Sequence, residues 1–266
     1  MSVGTIARKD LADASRSKML WVVAVLVLLS MAGVTGLVAA TTSMPAREVF
    51  GLAFQLAVTT LPIIALILAK GSITGERESG SLRVLLSLPP SRSDILLGKL
   101  LGRAVLMLIA TLVGGLTTGL VVFALLGGEI GILIPFVGFL GVMGVVFVAI
   151  GVGVSAASAS DNRATAIVVG AYMILVALWN LIERGIQFGA VELGLMEASS
   201  QPAWLQMVGL LPPNNAAIAG FRATVDGRLF GTDPFASVWL PVCLLLVWFV
   251  VPVVGGYLGF RDVQIG

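Results

Sequence analysis

The side chains of this chain that could do chemistry are few, and most catalytic constellations are missing. There is no histidine, so a serine nucleophile would have no imidazole to take its proton. Asp94, Asp161, Asp226, Asp233 and Asp262 fall in loops or at the ends of apolar runs. No two of them sit inside a run, where they could share a proton and activate water. A nucleotide-hydrolysing P-loop needs Gly-Lys followed by Ser or Thr, because the hydroxyl ligates magnesium while the lysine reaches the phosphates. The only Gly-Lys pair, Gly98-Lys99, is followed by Leu100. The single cysteine, Cys243, excludes an internal disulfide, and without histidine it argues against a zinc, haem or iron–sulfur site. What remains is ionic recognition, concentrated in the stretch KGSITGERESGSLRVLLSLPPSRSDILLGKLLGR. It runs from Lys70 to Arg103 and also holds Arg77, Arg83, Arg92 and Lys99, so it carries six of the sixteen basic residues.

The elements that must position this stretch are apolar. The chain is 58% hydrophobic and 11% charged with a mean hydropathy of +1.06, against about 25% charged in soluble domains. Six apolar segments of span length follow, over residues 20–40, 50–69, 104–126, 132–156, 164–182 and 236–258. They lack the alternation of a transmembrane barrel. The expected fold class is therefore all-α, a polytopic membrane protein with six transmembrane helices. The first segment is too long, and too plainly followed by others, to read as a cleaved signal peptide.

Lys and Arg gather in short loops on the cytoplasmic side. With the N-terminus inside, Arg8, Lys9, Arg16, Lys18, the six basic residues of the polar stretch, Arg163 and Arg261 are cytoplasmic, leaving Arg47, Arg184, Arg222 and Arg228 outside. Both termini are expected inside, in a plasma (cytoplasmic) membrane. A net charge of +2 and a pI near 9.0 are accounted for by this topology, and no nucleic-acid partner is expected.

Residues 5–18 carry Ile6, Leu11 and Ala14 among Arg8, Lys9, Asp10, Asp13, Arg16 and Lys18. They read either as an interfacial helix at the membrane surface or as a basic flank anchoring the first span. Residues 183–234 form the largest non-cytoplasmic segment. There Pro212, Pro213, Asn214 and Asn215 mark a turn that starts a helix through Ala216 to Val225, so a small helical cap is expected before the last span. Asn180, beside Trp179, either lines a polar pathway or caps a helix. Gly115 and Gly119, and Gly138, Gly141 and Gly144, place small residues at near-helical spacing for close packing, within one subunit or between two. Met19, Met31, Met107, Met143 and Met173 are dispersed through apolar runs, which favours packing over Cu(I) ligation.

Within the polar stretch, Leu82, Leu85, Leu86 and Leu88 form a short apolar stripe that Pro89 and Pro90 stop. Ser91, with Asp94 three residues on, has the form of a capping box, and a second helix is expected to run from there through Leu96, Leu97, Leu100 and Leu101 into the third span. An amphipathic loop lying on the bilayer is the plain reading of this pattern. The run Thr74-Gly75-Glu76-Arg77-Glu78, Gly80-Ser81-Leu82, Leu85-Leu86, Leu88-Pro89, Ser91-Arg92, Ile95-Leu96 and Gly98-Lys99 resembles the cytoplasmic loop of the type-2 ABC exporter permeases. Ile6 to Leu11 followed by Arg16-Ser17-Lys18 resembles the connecting helix of that family, and Leu211-Pro212-Pro213-Asn214 its outer segment before the last span.

The resemblance implies that residues 71–98 form a coupling loop whose helix docks on an ATP-binding subunit. Glu76, Arg77, Glu78, Gly80, Ser81, Leu82, Leu85, Leu86, Pro89 and Arg92 would then be the ATPase-coupling residues. It implies a permease domain over 1–266 that is not itself an enzyme and binds no cofactor, with ATP and Mg on the partner. The implied partners are two copies of a separately encoded ABC ATPase, a second permease copy or a paralogue, and membrane lipids. Within the family, the compact form and GER-type loop are nearest to drug- and antibiotic-efflux permeases and to the permease associated with maturation of the copper enzyme nitrous-oxide reductase. The alternative function is a stand-alone channel or scaffold whose polar loop binds lipid headgroups.

Overall fold

The computed structural model describes residues 3–15, 25–78, 91–128 and 130–261, and every regular element among them is helical. Helix α1 is Val3–Ser15. Helix α2, Val25–Thr41, contains a π turn at Leu29–Gly33. Helix α3, Ala46–Lys70, starts after Pro45, carries Glu48 in its first turn and Lys70 in its last, and so complements its own dipole at both ends. A turn at Gly71 leads into α4, Thr74–Glu78. Helix α5 is Arg92–Leu126, α6 is Leu133–Ala157, and α7 is Asp161–Ala177 with a π turn at Met173–Ala177. Then come α8, Trp179–Glu192, α9, Ala203–Leu210, α10, Pro213–Val225, and α11, Trp239–Arg261.

Four of these stretches are long and apolar enough to cross a membrane: Ala46–Glu78, Arg92–Leu126, Ile130–Ala157 and Trp239–Arg261. The pair α7 and α8, bent by 59° at its break, makes a fifth if counted as one span, and Val25–Thr41 is apolar but shorter. The expected fifth segment is therefore not a continuous helix over 164–182. The π turn and a single non-helical residue, Leu178, interrupt it, and α8 carries the chain on to Glu192.

The expected capping box is present. Ser91 accepts from the Asp94 amide, and Asp94 accepts from the Ser91 amide at 2.9 Å. The helix it starts has 35 residues, which at about 1.5 Å per residue is about 52 Å, well beyond a hydrocarbon core of roughly 30 Å. Its first turns, which carry Arg92, Asp94, Lys99 and Arg103, are the part unsuited to hydrocarbon. At the other end of the molecule, Pro213 stands in the first turn of α10, where its missing amide is no loss.

Helix α6 is the central element, buried over most of its surface and packed against α3, α5, α10 and α11. Phe136 meets Phe50, Phe54 and Phe221 edge-on at 5.3, 5.9 and 6.0 Å, while Phe54 and Phe221 stack at 4.4 Å. This cluster fixes α10 to α3 and α6. Met31, Met107 and Met143 are fully buried in the same core, where they pack rather than ligate.

Glycine sets the closest approaches. A Cβ on Gly115 or Gly119 would meet Val137 at 2.7 Å or Leu133 at 2.6 Å, and one on Gly144 would meet Met107 at 2.8 Å. These are seams within the subunit; Gly138, with nothing within 4 Å, belongs to none. The tightest contact is between α6 and α11. A Cβ on Gly256 would lie 2.6 Å from the Gly153 Cα, and one on Gly153 would strike the Pro252 carbonyl. Two backbones here touch without side chains between them.

Gly153→Val is expected to lower stability by at least about 2 kcal/mol, because backbone atoms cannot move aside as a flexible side chain can. Gly138→Ala should leave it unchanged. Thermal unfolding of the detergent-solubilised chain followed by circular dichroism reads both.

Candidate functional site

The polar groups of the span ends gather at two opposite poles. At one pole, α1 lies along the start of α5 in matched register: a Cβ on Gly98 would meet Ile6 at 2.7 Å, and one on Gly102 would meet Asp10 Oδ2 at 2.8 Å. Ile6 and Asp10 are one turn apart, as are Gly98 and Gly102, so the two helices run in the same direction. This contact buries the Asp10 side chain to 2% exposure, and a charge so placed must be paired. Lys99 Nζ donates to Asp10 Oδ1 at 3.0 Å, and Arg103 Nε and Nη2 approach Oδ2 and Oδ1 at 2.8 and 3.1 Å.

Lys99 also donates to Glu76 Oε1 at 2.6 Å. The remaining residues of the Glu76-Arg77-Glu78 run are turned to the other helices. Arg77 Nη1 donates to the Ser158 carbonyl just past α6 at 2.5 Å, and Glu78 Oε1 accepts from the Asp161 amide at the start of α7 at 2.8 Å. A carboxylate at a helix N-terminus complements the dipole there. Beneath them, the Ser155 hydroxyl of α6 accepts from the Ile73 and Thr74 amides at 3.0 and 3.1 Å. Asp161 accepts from Lys70 Nζ at 2.8 Å and from Thr74 Oγ1 at 2.9 Å. Arg92 Nη1 donates to the carbonyls of Phe260 and Arg261 at 2.6 and 2.8 Å, capping the last turn of α11.

The structure thus brings Glu76, Arg77, Glu78 and Arg92 together at one pole as a joint between α1, α5, α6, α7 and α11. Gly80, Ser81, Leu82, Leu85, Leu86 and Pro89 lie outside the described residues. Sequence reasoning missed Asp10, Lys70, Lys99, Ser155 and Asp161 as parts of this joint. The legible signal was Asp10 one turn from Ile6, opposite a Gly98/Gly102 pair with the same spacing.

At the opposite pole, Arg47 pairs with Asp226. Two prolines in succession, Pro212 and Pro213, remove the amides that would bond the Val208 and Gly209 carbonyls. Side chains replace them: Trp179 Nε1 donates to Val208 at 3.0 Å and Asn215 Nδ2 to Gly209 at 2.7 Å. Trp248 Nε1 reaches the Leu211 carbonyl at 2.7 Å. The cap segment is held from α8 and α11 by indoles. Asn180 is exposed at the start of α8, next to the break.

Between α5, α6, α10 and α11 runs a crevice of about 880 Å³, lined by Leu108, Val142, Val145, Leu246 and Phe249 among others. Its hydroxyls, Thr111 and Thr224, are bonded to the Met107 and Gly220 carbonyls. It offers apolar surface and no charge. Among the described residues, no group of three or more His, Cys, Asp or Glu could hold a metal ion.

Residues 4–263 match the family described as ABC-2 family transporter protein. The chain is similar to the "Probable ABC transporter permease protein NosY" of Pseudomonas aeruginosa, 34% identical over 92% of this chain and 90% of that one. It is likewise similar to the protein of the same description from Stutzerimonas stutzeri, 31% identical over 97% of this chain and 98% of the relative.

Asp10→Asn leaves Lys99 and Arg103 without their buried carboxylate, and a stability loss of about 3–5 kcal/mol is expected. The exposed Asp13→Asn should cost nothing. Melting curves of the two purified variants beside the unsubstituted chain separate a buried ionic joint from a decorative surface pair.

Proposed function

The chain belongs to the ABC-2 family of transporter proteins and is the permease subunit of an ABC transporter, and from that premise we propose that it is an exporter permease driven through the joint around Glu76. Two copies of a separately encoded ATPase bind ATP and Mg, and they drive a pair of permeases, this chain with a second copy or a paralogue. All six apolar segments span the membrane, the first from residue 20 and the fifth through α7 and the start of α8. Both termini and the Lys70–Arg103 pole face the cytoplasm, and residues 183–234 form the outer cap. Residues 5–18, with α1, form the interfacial helix.

One observation carries this reading: the residues just before 79–90 are bonded to four helices, and Arg92, just after them, to a fifth. Glu76 ties that segment to α5 and, through Lys99, to α1; Arg77 ties it to the end of α6; Glu78 ties it to the start of α7. Arg92, where the loop re-enters the described chain, holds the end of α11. A force applied to the loop therefore cannot be absorbed locally. It must move the helices together, which is what rigid-body transmission requires.

On this reading Glu76 and Arg77 hold the joint, and the apolar residues Leu82, Leu85 and Leu86, with Gly80, Ser81 and Pro89 shaping the segment, contact the ATPase. A few apolar anchors ringed by charge make a small interface whose charges set partner choice more than affinity. The sixteen basic residues are distributed as the positive-inside rule requires for this orientation.

The docking face is best probed at Leu82 and Leu85, since loss of Glu76 would also disturb Lys99. The unsubstituted chain, drawn from its native membrane in mild detergent, is expected to bring down an ABC ATPase, and the Leu82→Glu, Leu85→Glu double variant to lose it. Leu85→Glu alone should uncouple transport. Equal ATPase recovery with both chains would move the docking face away from Leu82 and Leu85, and recovery of anionic lipid with no ATPase would favour a lipid-binding role for the loop.

A further inference from the structure

Helix α6 is covered on most sides, and before its last residue it exposes a single stripe. Ile134, Gly138 and Val142 follow one another at four-residue spacing along it. They form the floor of the crevice of about 880 Å³. Leu108 and Leu112 of α5 stand on one side and Val242 and Leu246 of α11 on the other, all exposed at the rim. A Cβ on Gly138 would meet nothing within 4 Å, so the floor is open at that point.

The crevice has a depth that can be compared with the bilayer. From Ile134 to Val146 it follows α6 for about 18 Å, a little more than half of a hydrocarbon core of roughly 30 Å. It begins one residue inside the start of α6. It therefore spans one leaflet, the one at the Arg47–Asp226 pole. Its two hydroxyls, Thr111 and Thr224, are already committed to carbonyls, so a polar solute would find nothing to pair with and would pay for its own desolvation. A hydrocarbon chain has no such requirement.

The polar group of the site lies at its entrance. The Arg228 amide donates to the Ala223 carbonyl at 2.8 Å, beside Thr224, and the Arg228 carbonyl accepts from the Val238 amide at 3.3 Å, one turn before Val242. Thr224 and Val242 both line the crevice. The Arg228 side chain is 60% exposed, and among the described residues it reaches only Asp226, at 4.0 Å. That carboxylate is already paired with Arg47. The guanidinium thus keeps donors in the fork geometry that suits a phosphate. Leu229 and Phe230, next in the chain, and Trp239, next to Val238, are exposed, and aromatic side chains so placed belong to the headgroup level of a membrane.

We propose that the crevice is a binding site for one anionic phospholipid, with an acyl chain along the α6 floor and the headgroup phosphate on Arg228. A dry apolar floor one leaflet long complements the chain, and a cation at the mouth complements the head. The site lies at the opposite pole from the coupling joint, and the leaflet is the outer one on the topology proposed above. The inference goes beyond the permease reading and needs only that these helices stand in a bilayer.

The full-length chain, purified in mild detergent and stripped of endogenous lipid, is titrated with phosphatidylglycerol, and native mass spectrometry counts the lipid bound per chain. Val142→Trp and Gly138→Leu fill the floor, and Arg228→Gln removes the partner of the headgroup. Leu120→Trp, exposed on α5 outside the crevice, and Arg184→Gln, exposed on α8, are the controls. One tightly held lipid is expected on the unsubstituted chain and on both controls, and none on either filled variant. On Arg228→Gln it should be held about tenfold more weakly, the worth of a hydrogen bond to a charged group. Undiminished lipid on the filled variants would overturn the site, and a change in chains per particle in those same variants would give the face to a second copy. Unchanged affinity in Arg228→Gln would overturn the placing of the headgroup. Counts are taken from variants that melt with the unsubstituted chain; Gly138 and Val142 are both exposed, so either variant alone decides. Lipid is counted without the ATPase, so this result and the coupling reading stand or fall separately.

Discussion

A bilayer gives an unpaired polar group nowhere to go, and the arrangement of this molecule follows from that constraint. Inside the hydrocarbon it selects helices, since only they satisfy their own backbone. At helix ends it demands donors from elsewhere, and the chain supplies them by unusual means. Indoles from α8 and α11 serve the Val208 and Leu211 carbonyls just before Pro212, a serine of α6 serves the Ile73 and Thr74 amides, and an arginine at the start of α5 serves the last turn of α11. Each such bond joins elements distant in sequence. What looks like local satisfaction of hydrogen bonds is therefore also what assembles the bundle.

Much of this was legible in the sequence, and what was not has a physical reason. Ser91 with Asp94, and Pro213 opening α10, are local signals read from nearby residues, and hydropathy located the four long apolar helices. The break at Leu178 escaped because a π turn needs no Gly or Pro to announce it. The inward aim of Glu76, Arg77 and Glu78 escaped because a charge run in a polar loop reads as solvated until its partners, Lys99, Ser158 and Asp161, are brought to it by folding.

The two poles are built differently. The Lys70–Arg103 pole uses ion pairs, with Asp10, Lys99 and Arg103 largely out of water, an arrangement that is strong against loss of a partner but confers little net stability. The opposite pole has an exposed ion pair, Arg47 with Asp226, and is otherwise held by tryptophan, aromatic stacking and amide side chains. Close to the Lys70–Arg103 pole, Gly153 and Gly256 let the backbones of α6 and α11 touch.

The length of α5 gives the arrangement a mechanical ratio. Its first three turns are clamped to α1 by glycine contacts and ion pairs, and the rest runs unbroken to Leu126. A rod of about 52 Å tilted by about 5° about its clamped end swings its tip by roughly 4–5 Å, comparable to the spacing of one helical turn. Along that length the close contacts at Gly115 and Gly119 bind the helix to α6, so a tilt at the base would be shared by both helices. An adjustment among a few charged side chains at one pole would then arrive enlarged at the other.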